Sequence, residues 1–125
     1  MRIVLVAIGL LLFAGAARAD KGVMSGHPLM LYRAYATNPD CTPFGPVEIR
    51  VSQPPEHGRV SIHPVRLFPH FADDNVRSVC NRHRVRGVEA TYVSQRGYLG
   101  PDYVALEVFY PAGRVVSVRV PIQVR

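Results

Sequence analysis

Val116-Ser117-Val118-Arg119-Val120-Pro121-Ile122-Gln123-Val124-Arg125 closes the chain with an apolar side chain at every second position. A period of two sets Val116, Val118, Val120, Ile122 and Val124 on one face of a strand and the intervening residues on the other. That is the pattern of a half-buried sheet. Pro121 has no N–H to give to a ladder, so this strand is predicted to run along an edge or to lose its pairing there.

The same alternation recurs upstream. Val47, Ile49 and Val51 interleave with Glu48, Arg50 and Ser52; Val60 and Ile62 with Arg59, Ser61 and His63; Val104, Leu106 and Val108 with Ala105, Glu107 and Phe109. Val88, Ala90 and Tyr92 form a further short strand, and Leu29 to Thr37 a first strand of poorer periodicity. Pro54-Pro55-Glu56-His57-Gly58 and Pro111-Ala112-Gly113 are turns between such runs, the second a hairpin loop. Six or seven short strands in about a hundred residues predict an all-β fold, an antiparallel β-sandwich. Residues 64–86 show no sustained strand pattern. There Asp73 is expected to cap a short helix whose Val76, Val79 and Cys80 share a face and aim Cys80 at the core.

The other end of the chain has a different character. Arg2 supplies a positive charge, Ile3 to Phe13 are almost unbroken apolar residues, and Ala17-Arg18-Ala19 places small residues where a signal peptidase cuts. The apolar run is far shorter than the ~20 residues that span a bilayer. Residues 1–19 therefore read as a cleavable signal peptide. Residues 20–125 are expected to form one exported domain, periplasmic or secreted, with no transmembrane segment in the mature form. Its cleavage takes two arginines from a formal net charge of +6, leaving too modest an excess to argue for nucleic acid. In an oxidising compartment the two cysteines, Cys41 and Cys80, are expected to form a structural disulfide rather than a redox pair or metal site. Closing a loop of that length stabilises a small domain by about 4 kcal/mol on chain-entropy grounds.

Gly97-Tyr98-Leu99-Gly100-Pro101-Asp102-Tyr103, preceded by the aromatic Tyr92 and followed by the valine-rich hairpin, resembles the second half of the cadherin-like, immunoglobulin-type repeats of bacterial surface proteins. Pro55-Glu56-His57-Gly58-Arg59-Val60 is similar to the segment that opens an earlier strand in those repeats. The resemblance covers about half of the exported domain and implies an immunoglobulin-like sandwich. The chain departs from the family in its single domain, its cysteine pair and its arginine-rich insert, so an adhesive role does not follow. Read on their own chemistry, Gly97 and Gly100 can take positive φ angles and Asp102 can accept backbone hydrogen bonds that hold the corner. The alternative for Asp102 is a calcium ligand, but calcium needs six to eight oxygens and this segment offers one carboxylate.

Candidate chemistry is sparse. His57 and His63 lie six strand residues apart, about 20 Å, too far to share a metal. His27, His70 and His83 fall in unassigned segments, and a periplasmic metal-binding protein using them is the alternative function. Ser25 lacks a nucleophile-elbow context, and Asp73 and Asp74 are neighbouring carboxylates in a loop, so no catalytic residue and no cofactor is assigned. A small hydrolase with an unrecognised site is the third reading. One feature rises above this background: Arg77, Arg82, Arg84 and Arg86, with His83 among them. Four guanidinium groups so close can fork onto phosphate, sulfate or carboxylate oxygens. The competing reading is a solvated, idle loop. Because Arg82, Arg84 and Arg86 share parity with Val88 and Tyr92, a bulge at Gly87 is expected to turn them outward. The function expected is thus non-catalytic: binding to a protein or an anionic envelope component, or a structural part of the envelope.

Overall fold

The computed structural model describes residues 20–125; the signal-peptide assignment, residues 1–19, lies outside them. Each run of alternating residues forms a strand. In chain order they are β1 (Lys21–Val23), β2 (Leu29–Ala34), β3 (Glu48–Gln53), β4 (Gly58–Leu67), β5 (Val85–Ser94), β6 (Gly100–Phe109) and β7 (Val115–Val124). Two sheets result, one ordered β1-β7-β6-β3 and the other β2-β5-β4. The pairing of second, fifth and fourth strands against seventh, sixth and third is the connectivity of an immunoglobulin-type sandwich. Among the described residues no helix is long and apolar enough to cross a membrane.

The core is the inward face of both sheets. Val104, Leu106 and Val108 of β6 and Val120, Ile122 and Val124 of β7 meet Leu31, Ala34, Ala90 and Tyr92 from the opposite sheet, with Ile49 from β3. Tyr92 and Leu106, the largest of these, have no exposed surface. Each such side chain stabilises the fold by roughly 1.5–3 kcal/mol through the apolar area it withdraws from water. β2 explains its poor periodicity: its register against β5 shifts between Met30 and Tyr32, so its buried residues, Leu31 and Ala34, are three apart.

The sandwich is not wholly antiparallel. β1, too short to show a pattern, pairs in parallel with β7 through Lys21↔Ile122, Gly22↔Gln123 and Val23↔Val124. β7 therefore has a strand on one side only up to Pro121 and becomes internal from Ile122 onward. Its ladder with β6 runs unbroken through Tyr103↔Pro121, so the proline marks the end of an edge rather than a break in pairing.

Two expectations for residues 64–86 are corrected. The strands extend into the segment from both sides, β4 to Leu67 and β5 from Val85, and the ladder between them runs without a register shift, so Gly87 carries no bulge. A Cβ there would lie 2.7 Å from Leu67 and 2.8 Å from the Ala34 carbonyl oxygen; the glycine serves close packing instead. The connection contains a five-residue 3-10 turn, Ser78–Arg82, with no side-chain cap from Asp73. Cys80 is fully buried, but Val76 and Val79 are 71% and 56% exposed, because three residues per turn do not align them with it. The connection is nonetheless tied down. Asn81 exchanges two hydrogen bonds of 2.8 Å with the backbone of Phe71, and the His70 N–H donates to the Tyr35 hydroxyl at 3.0 Å. Leu67, Val85, Cys80 and Pro69 are buried here, outside the main core cluster.

Candidate functional site

Three stretches of the chain converge on Asp102. Its Oδ1 accepts from the backbone N–H of Glu56 and of Tyr103, at 3.0 and 2.9 Å; its Oδ2 accepts from the N–H of His57 at 3.1 Å and from the Tyr92 hydroxyl at 2.7 Å. Burial pushes the Asp102 carboxyl up, but these four donors outweigh it and hold the group below the usual carboxylate range. Burial, with the adjoining carboxylate, pushes the Tyr92 phenol well above its ordinary value. Both Asp102 oxygens are occupied by protein donors. Gly58 completes the arrangement, since a Cβ at that position would sit 2.6 Å from the Tyr92 ring. Beside it the His57 ring stacks on Tyr98 at 3.9 Å between centroids, and the Tyr98 hydroxyl donates to the Pro101 carbonyl. Gly97 and Gly100 hold the turn with φ of +82° and +134°.

Cys41 and Cys80 are joined as a disulfide, with Cα atoms 5.4 Å apart. The bridge fastens the β2–β3 connection to the 3-10 turn between β4 and β5. Arg77 acts at the same place: its Nε donates to the Thr37 carbonyl at 2.7 Å. Arg77 is thereby separated from the expected guanidinium group, being half-buried against the backbone it holds.

Arg82, Arg84 and Arg86 are exposed. Arg84 lies over the exposed ring of Phe68 at 5.4 Å. Arg66, passed over in the sequence because it stood in a segment without a pattern, is the cross-strand partner of Arg86 and points a guanidinium N–H at the Arg84 carbonyl, 3.5 Å away. Among the described residues none of Arg66, Arg82, Arg84 and Arg86 has a carboxylate within ion-pair distance. Of the acids on the sheets, Glu48 pairs with Arg50 and Glu89 with Arg33, while Glu107 accepts from the Ser117 hydroxyl. Glu89 also faces His63 Nε2 at 3.3 Å across β4 and β5. Burial raises the Glu89 carboxyl, and its bond to and attraction for Arg33 bring it below its ordinary value.

Next to Arg86 an open groove of about 430 Å³ is lined by Ala36, Pro43, Gly45, Pro46, Val47, Pro64, Gly87 and Val88. It runs between the approach to β3 and the far halves of β4 and β5.

His27, His70 and His83 do not come together. No three His, Cys, Asp or Glu side chains among the described residues are placed to share a metal ion. The Ser25 hydroxyl is engaged in a turn, donating to the Gln95 carbonyl and accepting from the Gly97 N–H. Asp73 and Asp74 are both exposed.

No family model matches the chain, and no curated protein matches it. Among solved structures, the solution structure of amebosin is similar at a TM-score of 0.42 and 12% identity, over 85% of this chain and 88% of that one. A likeness of that size assigns this chain to no family.

Proposed function

We propose that residues 1–19 direct export and are removed, and that the remaining domain, an immunoglobulin-like sandwich of the cadherin-like kind, works in the periplasm or outside the cell. There it acts by binding, without catalysis, and its partner is an anionic component of the envelope. The observation that carries this reading is the group of exposed arginines at the ends of β4 and β5. Arg66, Arg82, Arg84 and Arg86 have no acidic partner among the described residues, while Glu48 and Glu89 are already paired with Arg50 and Arg33. Like charges set opposite each other across a ladder, as Arg66 and Arg86 are, cost stability unless an anion lies between them. The disulfide suits an oxidising compartment.

The test is co-sedimentation with vesicles containing an anionic lipid and retention on an acidic polysaccharide, across a salt series. Exposed charges are screened over about 8 Å at physiological ionic strength, so binding should weaken steeply with salt. Replacing Arg82, Arg84 and Arg86 with Ser should weaken it further and leave the fold intact. A folded triple variant that binds anionic surfaces as well as wild type at low salt would overturn the reading.

A further inference from the structure

The even-numbered residues of β4 and the even-numbered residues of β5 that pair with them line one face of their sheet. At one end this face reaches the core: Val60, packed against it, is paired with the buried Tyr92, and Ile62 with the buried Ala90. Toward the other end the same rows continue as Pro64 paired with Val88 and then Arg66 paired with Arg86. The opposite sheet does not follow them. Ile62 is 40% exposed although its partner Ala90 is fully buried, and Pro64, Arg66 and Arg86 are exposed. An apolar inner surface thus emerges from the sandwich, and its rows end on two arginines. Pro43, Pro46 and Val47, from the approach to β3, form the facing wall of the groove.

We infer that this groove takes the hydrocarbon chain of a single-chain amphiphile, and that Arg66 and Arg86 hold its anionic carboxylate or phosphate headgroup. The inference rests on the anion-binding reading above and names the ligand class. Three features support it. The volume, about 430 Å³, falls among small-molecule sites, which are mostly apolar with a few directing polar groups. The walls carry three prolines, which have no N–H to offer an added peptide strand, so burial is what they give a ligand. Arg86 lines the groove and Arg66, its Cα partner across the ladder, turns its guanidinium to the Arg84 carbonyl; among the described residues neither has an acid within ion-pair distance, and such a pair suits a forked oxyanion.

The experiment uses the oxidised protein and calorimetric titration with inorganic phosphate and with hexyl, octyl, decyl and dodecyl phosphate, each below its micelle concentration. Dodecyltrimethylammonium is the opposite-charge control. Affinity should rise roughly fourfold per added methylene until the groove is filled. Arg66→Ser with Arg86→Ser should lower dodecyl phosphate affinity at least tenfold. Pro64→Glu and Pro46→Glu, at exposed positions on facing walls, should each do the same with circular dichroism unchanged; either one that stays folded suffices for the test. An affinity independent of chain length, or a cationic amphiphile bound as tightly as the anionic one, overturns the inference. If the series is flat while acidic polysaccharide is still bound in a salt-dependent way, the groove inference falls and the anion-binding reading stands. If no anion binds at all, both fall. Retention of an acidic protein with no response to any alkyl phosphate assigns the arginines to a protein surface and overturns the amphiphile.

Discussion

The Tyr92 hydroxyl, carried by β5 in one sheet, donates a 2.7 Å hydrogen bond to Oδ2 of Asp102, carried by β6 in the other. The bond spans the core, and the same carboxylate also holds the N–H groups of Glu56 and His57 in the turn before β4. One side chain thus joins the two sheets and a connecting turn. Tyr92→Phe removes one charge-assisted bond and should cost about 1.5–3 kcal/mol. Asp102→Ala strips the partner from a buried phenol and three backbone donors and should cost more. Melting temperatures of both variants, with and without calcium, check this. A calcium-dependent rise in the wild type that Asp102→Ala abolishes would show that the carboxylate serves a metal.

Asp102 and Glu89 both have carboxyls held below their ordinary values in the folded protein. A lowered folded value contributes stability that is fully present above the unfolded value, about 3.9 for Asp and 4.3 for Glu, and is lost as pH falls through the folded one. These two groups should therefore leave stability unchanged from pH 6 to 8 and reduce it below about pH 4. Asp102→Asn should be less stable at neutral pH and show a shallower acid decline. Urea midpoints between pH 2 and 8 measure both; a variant whose acid decline matched wild type would contradict the assignment.

The disulfide should leave no reactive thiol in the oxidised protein, and Cys41→Ala should lower stability by roughly 2–5 kcal/mol. Because the bridge secures the Phe68–Arg84 connection rather than the main core, backbone amides near Asn81 should lose protection from hydrogen exchange before those of β6. Equal loss in both regions would show that the bridge supports the entire sandwich.

Ala112 adopts a φ of +68° in the hairpin loop between β6 and β7, a conformation that costs a residue with a Cβ about 1–2 kcal/mol. Ala112→Gly should relieve most of that, less the entropy of a freer unfolded chain, and raise the melting temperature by a few degrees. Gly58→Ala should act in the opposite direction, by 1–3 kcal/mol, because its Cβ would meet the Tyr92 ring. A neutral result at Gly58 would mean that the ring can shift without losing Asp102.

The strands easiest to read were those whose alternation reports a covered inner face, β3, β6 and β7. Where that cover ends, the pattern fails. In Pro64-Val65-Arg66-Leu67 the inner row carries a proline and an arginine and the outer row the buried Leu67, so a strand looks like a loop. β2 was blurred by its register shift, and β1 has three residues, too few for a period. The same limit hid one member of the candidate site. Arg82, Arg84 and Arg86 are neighbours in sequence and therefore visible, whereas Arg66 joins them only through the β4–β5 register. Arg77 looked like a member by proximity, yet its hydrogen bond to Thr37 is a tertiary contact that spacing along the chain does not disclose.

The parallel pairing of β1 with β7 gives the domain a mechanical character. Lys21 and Arg125 lie toward opposite ends of that strand pair, so tension applied between them drags the two strands lengthwise past each other. Hydrogen bonds loaded in shear must rupture together, whereas those of a hairpin pulled open at one end give way singly. The Arg125 N–H bonded to the Val23 carbonyl and the Ser25 N–H bonded to the Arg125 carbonyl, both at 2.9 Å, extend the sheared patch to the last residue. A domain so wired resists stretching along its length, and force spectroscopy should record one abrupt rupture rather than a gradual peeling from β1.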